Sequence, residues 1–138
     1  MGSMADPRSI VEQLVDSMNS RDDETARQLF ASNCRFVTAT GRVLDVDGQF
    51  QLLAHTVAAF PDVQISVERW VVDGDIVVTE ELFQGTHKGL FAGLAPTGRQ
   101  VRIPLVHVSQ VAGGRIVDRV AYHDSAAILR QLQDSRES

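Results

Sequence analysis

The chain has 138 residues, 43% of them hydrophobic and 22% charged, with a formal net charge of −5, a balance typical of one globular domain with its own core. No dense Lys/Arg run interrupts it, which argues against an extended nucleic-acid or anionic-membrane surface. Cys34 is the lone cysteine, excluding a disulfide framework or a thiolate zinc site within one chain.

No apolar run approaches a membrane span and no signal-peptide core follows the N-terminus, so the cytoplasm is the expected compartment. Met1-Gly2-Ser3 ahead of Met4 reads as a cloning scar, leaving 4–138 as a single domain. Ile10, Val11, Leu14, Val15 and Met18 share one helical face and predict an amphipathic first helix. Ser20 with Asp23 resembles a capping box, and Ala26, Leu29 and Phe30 form the stripe of a short second helix. Residues 34–38 read as a strand stopped by Gly41. Phe50, Leu53, Ala54, Val57 and Ala58 mark a third helix that Pro61 terminates.

The remainder is mostly strand. Segments 63–72 and 76–83 flank Asp73-Gly74-Asp75, and segments 101–111 and 116–122 flank Gly113-Gly114, both strong hairpin signals. Between the hairpins, 89–98 is a loop punctuated by Gly93, Pro96 and Gly98. A final helix carries Ile128, Leu129 and Leu132 on one side. Three helices followed by a meander of long strands predict an α+β domain, with a strongly bent antiparallel sheet wrapped around the N-terminal helices.

The second hairpin also predicts a site. A two-residue turn at Gly113-Gly114 pairs Val111 with Ile116, His107 with Val120, Leu105 with Tyr122 and Ile103 with Asp124. Paired residues share a face, so His107, Tyr122 and Asp124 are expected together on a largely apolar surface. A slip of one residue would scatter them.

Several motifs stand together: Ala59-Phe60-Pro61-Asp62-Val63, Gly74-Asp75, Gly85-Thr86-His87-Lys88-Gly89, Pro96-Thr97-Gly98-Arg99, Gly114-Arg115-Ile116, and Asp124 followed by Ile128-Leu129-Arg130-Gln131-Leu132. With them the chain resembles the SnoaL-like polyketide cyclase family of the nuclear transport factor 2-like superfamily. The resemblance runs from about 10 to 132. It implies a conical α+β barrel with a deep apolar pocket, assembled as a homodimer or higher homo-oligomer through the sheet. It further implies cofactor-independent ring closure of an apolar, oxygenated small molecule by intramolecular aldol condensation. The family aspartate that acts as general acid/base matches Asp124. Two departures stand out: the family's last-strand tryptophan is replaced around Val120, and Leu132-Gln133 stands where Leu-Gly is common.

Asp124 thus has two readings, a catalyst with a pKa raised by burial or a cap on the last helix. His107, four strand residues and roughly 13 Å from the level of Asp124, is the second catalytic candidate; its bland reading is a core histidine satisfied by Tyr122 or backbone. Tyr122, Trp70, Phe36, Phe91, Leu105 and Val120 are candidate pocket residues, though strand aromatics such as Trp70 and Phe36 are often plain core. His87 is expected to shape its loop, His123 to face away from the pocket, and His55 to be solvated. Glu80 and Glu81 are adjacent on a strand and face opposite sides; whichever points inward is a further candidate acid or base, and the bland reading is a solvated edge or subunit-interface pair. Spacing among the four histidines offers no metal site, and no phosphate-binding loop or nucleophile motif appears. Epoxide opening, or ligand binding without catalysis, are the alternatives to cyclisation on this fold.

Overall fold

A computed structural model describes residues 6–133; Met1-Gly2-Ser3, read above as a scar, lie outside the described residues. In chain order the elements are α1 (Pro7–Asn19), α2 (Asp23–Gln28), β1 (Phe30–Val37), β2 (Val43–Leu44), α3 (Val46–Ala59), β3 (Gln64–Asp73), β4 (Ile76–Thr86), β5 (Gln100–Ala112), β6 (Arg115–Tyr122) and α4 (Ala127–Gln133). The strands form one open sheet of order β2-β1-β6-β5-β4-β3. None of the helices described is long and apolar enough to cross a membrane.

Local chemistry accounts for the helix boundaries. Asp6 caps α1 by accepting from the Arg8 N–H, with Pro7 in the first turn where its missing N–H costs nothing. Asp45 caps α3 by accepting from Gly48 N–H at 2.8 Å, and Pro61 follows the C-terminal Phe60. The expected Ser20–Asp23 capping box is not formed. Asp22 caps α2 instead, accepting from both the N–H and the hydroxyl of Thr25, while Ser20 ends α1. Phe30, expected on the helical stripe, begins β1.

The apolar face of α1 buries Ile10, Val11 and Leu14 against Phe30, Phe50, Val77, Val111 and Ile116, each large side chain worth roughly 1.5–3 kcal/mol. A second cluster joins Phe60, Val63, Val101, Ile103 and Leu132 beneath α4. The helices and the strand meander are as expected, but the sheet is mixed rather than antiparallel throughout. β1 lies beside β6 and runs parallel to it, because the first and last strands meet in space without a hairpin to reverse them.

Both glycine hairpins are two-residue turns, with Asp73 paired to Ile76 and Ala112 paired to Arg115. Gly113 and Gly114 both have positive φ, 63° and 76°, the pattern of a turn whose twist suits the flanking strands. Val111 pairs with Ile116 as predicted, but the register then shifts, and Gln110 faces Asp118. Val117 is the extra residue of a β-bulge. The β1–β6 register is also irregular across this stretch, and Ile116 N–H donates to the Leu29 carbonyl at 2.8 Å. Beyond the bulge every side chain of β6 is therefore on the face opposite to the one simple alternation predicts.

Candidate functional site

A cavity of about 230 Å³ lies between the sheet and the helices α1 and α3. Its walls are mainly apolar, with Met18, Phe36, Phe50, Leu53, Phe83 and Leu105 prominent. Polar groups reach it from several elements: Gln49 of α3, Glu81 of β4, His107 of β5, Arg119 of β6, and His123 just beyond β6. A mostly apolar recess with a few convergent polar groups is the usual form of a small-molecule site.

Strand alternation selects the inward groups. On β4, Val77, Thr79 and Glu81 are all buried, while Glu80 points out and pairs with Arg69 at 3.0 Å. Glu81 is therefore the inward acid of the two. Thr79 lies opposite His107 in the β4–β5 register, His107 lies opposite Ala121, and Ser109 lies opposite Arg119. The bulge thus brings Arg119, Ala121 and His123 to the His107 face.

One carboxylate oxygen organises the centre. Glu81 Oε2 accepts from the Thr79 hydroxyl at 2.6 Å and from His107 Nδ1 at 2.9 Å, with Arg119 Nη2 at 3.9 Å. Nδ1–H donation to the carboxylate leaves the basic lone pair of a neutral imidazole on Nε2. Burial pushes the Glu81 carboxyl up, but His107, Arg119 and the Thr79 hydroxyl together outweigh it and hold it below its ordinary value. His107 is also lowered, by burial first and by the Arg119 cation second, against the opposing pull of Glu81. The imidazole is therefore neutral at neutral pH, in the form a general base requires.

Arg119 is only 3% exposed. Burial lowers its guanidinium from the ordinary value, and Glu81 pulls it back up. Its Nε has no hydrogen-bond partner among the described residues, and neither do the buried Gln49 Nε2 and His123 Nδ1.

The expected trio of His107, Tyr122 and Asp124 is not on one face. Only His107 lines the cavity; Tyr122 pairs with Val106 and is 58% exposed on the opposite face. Asp124 is exposed, accepting from Ala126 N–H at 3.0 Å and pairing with Arg130 at 2.6 Å. The Arg130 hydrogen bond first, and the Ala126 N–H second, hold its carboxyl below the ordinary value. The carboxylate is held in the turn that leads into α4, opposite to the raised pKa expected of a buried acid. His123, expected to face away, lines the cavity for the same reason of register.

Among the candidate walls, Phe36 and Leu105 line the cavity. Val120 instead pairs with Val108 beyond the bulge, outside the lining. Trp70 packs on the first core cluster under Arg8, and Phe91 packs edge-on against Phe60. His55 is exposed, as expected. His87 is fully buried, and its Nδ1 accepts from Thr97 N–H at 3.2 Å, tying down the loop between β4 and β5. Glu81 was half legible as one of an adjacent pair. Arg119 carries no such signal, since regular alternation from Ile116 places it on the outer face.

The model of the SnoaL-like polyketide cyclase family matches residues 8–132. Among solved structures, wild-type IdmH of Streptomyces antibioticus, a proposed polyketide cyclase, is 32% identical with a TM-score of 0.84, the match covering 92% of this chain and 98% of that one. AclR of Streptomyces galilaeus, a proposed hydroxylase, is 21% identical with a TM-score of 0.86 over 98% of this chain and 85% of that one. A proposed SnoaL-like polyketide cyclase of Jannaschia sp. CCS1 is 22% identical with a TM-score of 0.84 over 93% and 92%; these last two show the shared fold alone. No curated protein matches the chain. Together the fold, the apolar cavity and the family match establish that the chain belongs to the SnoaL-like polyketide cyclase family.

Proposed function

We propose that the protein closes a ring in an apolar, oxygenated, polyketide-type small molecule by intramolecular aldol chemistry, with His107 as general acid/base and Glu81 as its orienting carboxylate. The observation that carries this reading is the 2.9 Å contact between His107 Nδ1 and Glu81 Oε2 at the wall of an apolar cavity. His107 Nε2 takes a proton from a methylene activated by neighbouring carbonyls. The resulting enolate carbon attacks a second carbonyl carbon of the same molecule, whose π pair moves to oxygen. The imidazolium then returns the proton to that alkoxide, so atoms and charge balance without an oxidant or reductant. Glu81 stabilises the transient imidazolium, and the apolar walls hold the reacting carbons in proximity.

Asp124 has no part in proton transfer in this reading; its role is to secure the start of α4. The exposed Tyr122 belongs with the outer sheet face, beside Pro104 and Val106, where assembly into a homo-oligomer would take place. The test of the chemistry is turnover of a panel of polyketide-type β-keto esters by wild type and His107→Gln. Loss of a general base is expected to lower kcat by about 10²–10⁴-fold. A folded His107→Gln variant with wild-type turnover would sink the assignment.

A further inference from the structure

Three buried side-chain atoms without partners, Gln49 Nε2, Arg119 Nε and His123 Nδ1, belong to residues lining the same cavity. Buried donors are normally satisfied, so such a group in a recess points to a ligand that completes it. Two of them, on Arg119 and Gln49, sit on side chains more than nine-tenths buried. We infer that Arg119 and Gln49 form the binding site for the anionic oxygen of the ligand, an enolate or phenolate conjugated to the reacting carbon.

Three features support this assignment. Arg119 brings a positive charge to the cavity, and its nearest carboxylate is already engaged: Glu81 Oε2 accepts short hydrogen bonds from Thr79 and His107, with Arg119 at 3.9 Å. Cys34, whose thiolate both Arg119 and a Gln49 hydrogen bond would favour, offers only a weakly accepting neutral sulfur and no counter-charge, because burial, with Asp118 adding to it, outweighs them and pushes its thiol up to about 11. The imidazole of His107 and the guanidinium of Arg119 also approach the same Glu81 oxygen. Both side chains line the one cavity, so a carbon acid held against His107 has its carbonyl oxygen in the same recess as Arg119. An acceptor-only oxygen suits donors with no protein acceptor, and its affinity rises as charge develops, which favours the enolate over the ketone.

The inference rests on the His107 reading for the identity of the reacting carbon, but ligand ionisation tests it separately. The probe is 2-naphthol, whose ionisation is followed by ultraviolet absorption in the presence of the protein. In wild type the bound naphthol is expected to ionise at a pH lower by about one unit or more, equivalent to about tenfold or greater preference for naphtholate. The shift is expected to persist in His107→Gln, to vanish in Arg119→Met and to shrink several-fold in Gln49→Met. Should Arg119→Met not fold, Arg119→Met/Glu81→Gln removes both buried charges together and is expected to lose the shift as well.

Equal binding of both forms by wild type, no binding at all, or a shift that survives the Arg119 and Gln49 substitutions overturns the inference. A shift lost only in His107→Gln also overturns it and leaves the His107 reading intact. A shift lost in Arg119→Met, with full cyclisation by His107→Gln, leaves this inference standing and removes the His107 reading instead.

Discussion

Glu81→Gln removes the charge on which Thr79, His107 and Arg119 converge while keeping the shape of the side chain. At 3.9 Å, two unit charges attract by about 4 kcal/mol at an effective dielectric of 20. Glutamine keeps an acceptor oxygen for the Thr79 hydroxyl and His107 Nδ1–H, so the hydrogen bonds weaken rather than disappear. The larger loss is Arg119's counter-charge; breaking one side of a buried pair typically costs about 3–5 kcal/mol. The separation is longer than a hydrogen bond, and the desolvation of the carboxylate is recovered, so the lower end applies, about 3 kcal/mol. With a urea slope of about 2 kcal/mol/M, the unfolding midpoint falls by roughly 1.5 M.

The same substitution has a second readout. Glu81 pulls the His107 pKa upward against burial and Arg119, so removing it drives His107 lower still. Long-range nitrogen NMR of the imidazole reports this shift without any substrate. Adding Arg119→Met to Glu81→Gln should recover part of the lost stability, because no charge is then left unpaired. An unchanged urea midpoint together with an unmoved His107 titration in Glu81→Gln refutes the coupling described here.

Three further outcomes are expected. Asp124→Asn should retain cyclisation within a few-fold of wild type, since its carboxylate faces Arg130 outside the cavity; a loss of kcat comparable to that of His107→Gln restores Asp124 as the acid/base. Both His107 and Glu81 have lowered folded pKa values, so on acidification the unfolded chain takes up protons first, and stability falls with pH. The histidine part begins near 6.5, the ordinary His107 value, and the carboxylate part follows as pH drops through the folded Glu81 value. Urea midpoints at about pH 7.5 and pH 5 should differ less in His107→Gln than in wild type, and the acid limb of wild-type activity should lie below 6.5.

The positions of the helices, both hairpins, the two-residue turn at Gly113-Gly114 and the family were legible in the chain because they rest on local chemistry. Apolar spacing in 10–18, the Pro61 stop and the paired glycines at 113–114 each act within a few residues. Cap identity was less legible: Ser20 and Asp22 are both competent caps, and which one serves depends on where α1 ends. The candidate site was read in part, with His107, Phe36 and Leu105 correctly directed to the cavity and Glu81 left undecided against Glu80.

By itself, then, the sequence determined the helices, the long strands, their order and the face of β5 that carries His107. Only the tertiary structure decided the rest of β6. Its register depends on two neighbours, β5 and β1, and the bond from Ile116 N–H to the Leu29 carbonyl lies 87 residues away along the chain. The bulge at Val117 satisfies both, and side chains alternate with a period of two, so one extra residue exchanges the two faces. Tyr122 thereby turns outward, Asp124 turns to Ala126 and Arg130 outside the cavity, and Arg119 and His123 join His107 within it.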